Sequence, residues 1–255
     1  MRLVQALFLS LIEGISEFLP ISSTGHLILA SRLLGIAQTE FVKSFEIIIQ
    51  LGAILAVVVI YFSRLRKNFA LLKNTLIAFL PSAIFGLFFY NYIKLYLIGN
   101  TTIVIWSLLI GGVAMLLFER FHKPNIRYTI YNIPTIQLIA VGLMQVLSMI
   151  PGVSRAFATI FGGMMVGMKK KEAVEFSFFL AIPTMFAASA LDVVKTDLSL
   201  WTRDNFYILA VGFLASFLTA YITVRWLVKY VQNHNFSLFG AYRIVLAILF
   251  LLFYL

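Results

Sequence analysis

Glu13 and Glu17 stand four residues apart, which puts both carboxylates on one face of a helix. After them come Pro20 and the run Ser22-Ser23-Thr24-Gly25-His26. Two acids on one face can seat a metal ion or act as a general base. One of the three hydroxyls is expected to cap a helix starting near residue 25. A cap needs only one, and the rest, with the free N–H groups of a helix start and an imidazole, form an anion site. A second polar stretch lies far along the chain: Pro151-Gly152-Val153-Ser154-Arg155-Ala156-Phe157-Ala158-Thr159. Arg155 is an isolated charge between apolar segments. Its guanidinium suits two-pronged contact with phosphate, or an ion pair with Glu13 or Glu17, and the two can coexist. Ser154 and Thr159 add hydroxyls, or bond back within their helix. Acids, hydroxyls, a histidine, an arginine and two helix starts fit phosphoryl transfer. No Walker-type glycine-lysine pattern is present.

The surroundings of these residues are hydrocarbon-like. Of 255 residues, 62% are hydrophobic and 12% charged, and mean hydropathy is +0.99. Soluble domains carry about 25% charged residues, so the sequence predicts an all-α polytopic membrane protein. The net charge of +10 is assigned to cytoplasmic loops and anionic lipid headgroups, not to nucleic acid. The absence of cysteine excludes disulfides and thiolate chemistry. No removable signal is recognised, so the first helix is expected to be retained.

Six segments read as full spans: 44–62, 72–92, 101–118, 172–192, 205–228 and 238–255. Four shorter apolar pieces, 4–19, 25–35, 134–150 and 155–167, are too short to cross. They read as two re-entrant helical hairpins, with Pro20 and Pro151 at their tips. Basic residues follow the first span (Arg64, Arg66, Lys67, Lys73), the third (Arg120, Lys123, Arg127) and the second hairpin (Lys169 to Lys171), with Arg225 and Lys229 near the end of the fifth span. The loops at 93–100 and 193–204 lack this enrichment; the second balances Lys195 and Arg203 with Asp197 and Asp204. The positive-inside rule then opens one hairpin to each side of the membrane, with Arg2 as an exception.

A shift of 131 residues lays Glu17-Phe-Leu-Pro-Ile-Ser-Ser23 over Ser148-Met-Ile-Pro-Gly-Val-Ser154, and Phe45 over Phe176. The chain therefore reads as one membrane domain, 1–255, built from an inverted-topology repeat of about 1–118 and about 132–255. In that architecture sites gather near the midplane from broken helices. Irregular backbone at that depth must be buried in protein or line a wet cavity. The two tips are thus expected to meet. Glu46, Gln50 and Gln145 are candidates to line the cavity. Glu172 and Glu175 suit a helix start, and His122 and His234 a solvated loop.

Glu13-x-x-x-Glu17-Phe-Leu-Pro-Ile-Ser-Ser-Thr-Gly-His26, with Pro151-Gly-Val-Ser-Arg155, resembles the undecaprenyl-diphosphate phosphatase family of the bacitracin-resistance type. Gln50-Leu-Gly-Ala53 and Glu175-Phe-Ser-Phe-Phe-Leu-Ala-Ile-Pro183 also look like family segments, and the similarity runs over the whole chain. The resemblance implies a multi-pass enzyme of the bacterial plasma (inner) membrane, acting at the outer face with magnesium or calcium. It would hydrolyse undecaprenyl diphosphate to the monophosphate and phosphate, recycling the lipid carrier for cell-wall polymers. The positions it implies as essential are Glu13, Glu17, Ser22, Ser23, His26, Ser154, Arg155 and Thr159. Where the family usually has Ser-Gly after the arginine, this chain has Ala156-Phe157. The expected roles are Glu13 and Glu17 as metal ligands, with Glu17, Ser23, His26 and Arg155 catalytic. Ser22, Thr24, Ser154 and Thr159 would bind substrate. Ser23, His26 and water all stay open as the nucleophile. The partners are the lipid substrate and membrane lipids, and a homodimer is allowed. The alternative is a transporter or flippase for lipid phosphates using the same loops; a channel or structural membrane protein is a weaker third.

Overall fold

The computed structural model describes residues 1–97, 100–195 and 202–254. Parts of the loops 93–100 and 193–204, with Asp197 and the side chain of Lys195, and residue 255 of the last expected span, lie outside the described residues. Among the described residues ten α-helices follow one another: α1 (Leu3–Ser16), α2 (Ser23–Leu33), α3 (Glu40–Lys67), α4 (Phe69–Tyr92), α5 (Thr101–Phe121), α6 (Thr135–Val146), α7 (Arg155–Met165), α8 (Lys170–Lys195), α9 (Arg203–Asn233) and α10 (Ser237–Tyr254). Among the described residues there is no β-strand.

Five helices (α3, α4, α5, α8 and α9) are long and apolar enough to cross a bilayer. Helix α10 has 18 residues, a rise of about 27 Å at 1.5 Å per residue, and is classed with the shorter apolar helices. The short helices α1 and α2 pack on each other, as do α6 and α7. Each pair is a helical hairpin, at the four short segments expected from the sequence.

Both turns are set by local chemistry. Ser22 caps α2 by accepting the Gly25 N–H, and Ser154 caps α7 by accepting the Phe157 N–H. Both serines have positive φ, 72° and 76°. Non-glycine residues in such backbone cost about 1–3 kcal/mol each and persist where the surroundings over-determine them. The strained serine thus occurs twice, once at each tip.

Helix pairing is reciprocal: α1 packs on α9 and α6 on α4, while α5 packs on α10 and α3 on α8. Close approach at these crossings needs small residues, because helix association in lipid depends on packing. A Cβ on Gly142 of α6 would stand 2.3 Å from the Ala78 carbonyl oxygen and 2.8 Å from Pro81 Cγ of α4. Gly142→Ala is therefore expected to destabilise the fold by about 1–3 kcal/mol, the usual cost of overpacking. Thermal unfolding in detergent measures it, with the exposed neighbour Leu143→Ala as the silent control.

The core is aromatic near the site. Phe18, Phe45, Phe176, Phe178 and Phe179 are fully buried, and Phe18 meets Phe178 edge-on at 5.2 Å. At one end of the bundle Arg64 pairs with Glu175 at 2.6 Å and donates to Tyr131 at 2.7 Å. Lys170 approaches Glu119 at 3.7 Å. Gln145 donates to Ser82 (2.6 Å) and Thr184 (3.1 Å), each next to a proline inside a helix, Pro81 of α4 and Pro183 of α8. Gln145 thus ties two interrupted helices together.

Candidate active site

The two tips touch. A Cβ on Gly25 would lie 3.6 Å from the Gly152 Cα, and the side chains of the two hairpins are bonded across this junction. Arg155 Nη2 donates to Glu17 Oε1 at 2.8 Å, and both side chains are buried. The other Glu17 oxygen, Oε2, accepts the Ser23 hydroxyl at 2.5 Å. That length belongs to a charge-assisted O–H···O⁻ bond. Ser23, Glu17 and Arg155 therefore form one chain: a hydroxyl on a carboxylate, and that carboxylate on a guanidinium.

Arg155 is committed further. Its Nη1 donates to the Ser177 carbonyl at 2.8 Å and to the Ser177 hydroxyl at 3.1 Å. Its Cζ lies 5.7 Å from the Phe18 ring centre. The Thr159 hydroxyl bonds back to the Arg155 carbonyl at 2.9 Å and reaches Ser177 Oγ at 2.7 Å. Fully buried, Thr159 supports Ser177 and through it the guanidinium. The ion pair foreseen for Arg155 is present, and only its buried Nε lacks a partner.

His26 is fixed at both ring nitrogens. Nδ1 lies 2.7 Å from the Ser22 carbonyl oxygen, and Nε2 lies 2.7 Å from Tyr242 Oη. A carbonyl only accepts, so Nδ1 carries the proton and Nε2 accepts from the tyrosine. The rings stack, 9° from parallel. Ser22 and Ser154 spend one lone pair each on their caps and keep their O–H groups to donate. Thr24 is half-buried beside them.

Glu13 stands apart. It is fully buried and neither of its carboxylate oxygens has a hydrogen-bond partner. Both Glu17 oxygens are taken, so the carboxylate oxygens left without a partner are those of Glu13, and they are enclosed. Among the described residues no group of three or more His, Asp or Glu side chains gathers to hold a metal. Magnesium is often held by only one or two carboxylates with substrate phosphates and water, and Glu13 is the carboxylate that would serve it here.

The remaining candidates have other duties. Glu46 accepts from Ser31 (2.8 Å) and Gln38 (3.3 Å), tying α3 to α2 and the segment after it. Sequence reasoning missed three residues at the site. Ser177 lies inside a segment quoted for its resemblance but was not singled out. Tyr242 had no local signal. Arg243, fully buried in apolar α10, carries the signal that marked Arg155: an isolated charge among apolar residues.

An apolar groove of about 280 Å³ runs along the site, between α1, α2 and α10. Its walls are Phe8, Ile12, Leu29, Leu33, Leu246 and Phe250, among others, and His26 borders it.

Fold and site together define an all-α membrane protein with a buried hydroxyl–carboxylate–guanidinium chain beside an apolar groove. The chain matches the family described as "Bacitracin resistance protein BacA" over residues 6–249. It is 47% identical over 252 residues to the undecaprenyl-diphosphatase of Aquifex aeolicus (strain VF5), covering 98% of each chain. It is 47% identical over 262 residues to that of Sulfurihydrogenibium sp. (strain YO3AOP1), covering 100% of each. It is also 43% identical over 258 residues to that of Wolinella succinogenes, covering 100% of this chain and 99% of the relative. The protein belongs to the bacitracin resistance protein BacA family.

Proposed function

We propose that this protein hydrolyses undecaprenyl diphosphate to undecaprenyl phosphate and phosphate. The observation that carries the reading is the 2.5 Å bond from Ser23 to a carboxylate that Arg155 holds in place. The relatives named undecaprenyl-diphosphatase favour a phosphatase over a carrier. The apolar groove supports an isoprenyl tail lying along α1, α2 and α10, which delivers the diphosphate to His26 and Ser23.

In this reading Ser23 Oγ attacks the terminal phosphorus, and its proton passes to Glu17. The bridging P–O bond breaks, the lipid monophosphate leaves, and a phosphoserine remains. Water then attacks that phosphorus, phosphate departs, and the proton returns to Ser23 Oγ. The free N–H groups at the starts of α2 and α7, with the O–H groups of Ser22, Thr24 and Ser154, stabilise the charge on the phosphoryl oxygens. Glu13 would hold a magnesium or calcium ion, which when bound supplies neutralising charge to the diphosphate, while Glu17, expected as a second ligand, is committed to Ser23 and Arg155. Ser23 is favoured over His26 as nucleophile because Ser23 already faces a proton acceptor, while Tyr242 occupies the His26 Nε2 lone pair.

The supporting features for topology are the two matching tips and the reciprocal helix pairing. They favour an inverted repeat with both hairpins re-entrant; placement in the bacterial inner membrane, with the site open to the outer face, is what the family resemblance implies.

Two measurements test this reading. Purified protein in detergent, given pure undecaprenyl diphosphate, should release inorganic phosphate. Detergent has no two sides, so a carrier would bind lipid and release nothing. Tyr242→Phe should lower turnover only about threefold, the scale of one lost neutral hydrogen bond. A large change in steady-state turnover there would return the nucleophile to His26.

A further inference from the structure

Arg243 is fully buried in α10, and all five of its guanidinium N–H donors are spent on backbone carbonyls. Nη1 donates to Pro20 at 3.2 Å and to Val153 at 3.0 Å. Nη2 donates to Gly152 at 2.8 Å and to Ser107 at 3.0 Å, and Nε to Leu108 at 3.4 Å. Three of these carbonyls belong to the two tips and two to α5. Pro20 lies three residues before Ser23, and Val153 two residues before Arg155. One planar group thus sets how far the Ser23 backbone stands from the Arg155 backbone.

The packing around it is made for it. A Cβ on Gly111 of α5 would stand 2.1 Å from Arg243 Nη2, so only glycine leaves the guanidinium its place. The Phe157 ring centre lies 5.2 Å from Arg243 Cζ. Phe157 in turn packs on Phe161, with ring centres 4.6 Å apart. The bulky residue closes the arginine in and offers it an aromatic face.

We propose that Arg243, covered by Phe157, is a positioning residue that locks the two hairpin tips in register and thereby aligns Ser23 and Glu17 with Arg155. It touches no reacting atom. Lysine cannot replace it: three donors on one point cannot serve five carbonyls spread over three segments. The proposal rests on the phosphatase reading for its kinetic part and is independent of it for its structural part.

The chain has no cysteine, so a labelled pair can be placed without interference. Spin labels on Ile15→Cys and Leu147→Cys, both exposed on the arms leading into the two tips, report tip separation by pulsed electron paramagnetic resonance. The Arg243→Met variant should broaden or shift a single narrow distance distribution. It should also lower kcat on undecaprenyl diphosphate by about 100-fold, the scale for a misplacement of about 1 Å. KM should change by less than about threefold, because the binding groups remain. Gly111→Ala keeps the arginine but takes its space, and should shift both readouts the same way; it serves where Arg243→Met does not fold. An unchanged label distribution in either folded variant overturns the proposal, whatever the turnover. If the starting protein releases no phosphate while Arg243→Met still broadens the distribution, the phosphatase reading fails and the lock stands.

Discussion

Ser23→Ala is expected to lower phosphate release by about a thousandfold or more, the scale on which losing a nucleophile removes covalent catalysis. Ser23 is the hydroxyl that already donates to a buried carboxylate, at 2.5 Å, so its proton has a destination when the oxygen attacks. The other tip serines accept from backbone N–H groups instead. Rapid quenching of the unsubstituted enzyme with lipid labelled at the terminal phosphate should trap a phospho-adduct on Ser23. The fold should survive in Ser23→Ala, because Ser22 and not Ser23 is the cap. A variant that turns over at near-normal rate would remove Ser23 from the reaction and favour direct attack by water.

Glu17 and Arg155 give the second large effect, and they separate chemistry from stability. Glu17→Gln should lower kcat by about 10²- to 10⁴-fold, the contribution of a positioned proton acceptor. It also leaves the Arg155 charge buried without its carboxylate, and breaking one side of such a pair costs about 3–5 kcal/mol. Arg155→Met strands the Glu17 charge in the same way. The double variant Glu17→Gln with Arg155→Met removes both charges, and its thermal midpoint should rise above that of either single variant while activity stays lost. Arg155→Lys should also lose most activity, since a point charge cannot reach Glu17 Oε1 and the Ser177 carbonyl together. If the double variant is no more stable than the singles, the two residues are not coupled as their 2.8 Å contact indicates.

Much of the architecture was legible because lipid restricts what an apolar helix can do. Segment length separated six expected spans from four short pieces, and five of those six are long and apolar enough to cross, α10 being the shorter exception; Pro20 and Pro151 marked where the hairpins turn. A hydroxyl cap was expected after Pro20 without a choice among Ser22, Ser23 and Thr24, and the matching cap at Ser154 was not foreseen; the structure gives the two caps to Ser22 and Ser154. The convergence of the tips followed from the cost of irregular backbone at membrane depth. Their wiring did not follow, because it depends on contacts between residues more than a hundred positions apart. Nothing local said that Ser177 would carry Arg155, or that Tyr242 would hold His26. Arg243 was legible in principle. A lone arginine in an apolar span is costly enough to demand a reason, and reading residues 238–255 simply as a span passed over it. The structure also gives Thr159 a narrower duty than the pattern implied: its hydroxyl is used within the protein.

The apolar groove has a consequence for kinetics. Walls of phenylalanine, leucine and isoleucine give the tail no reason to leave an oily phase before it docks. Encounter is then lateral diffusion in a plane, and the governing variable is the mole fraction of the lipid among its neighbours, not its amount per volume of buffer. Diluting the substrate with inert amphiphile at constant bulk concentration would slow the enzyme, while adding water would not.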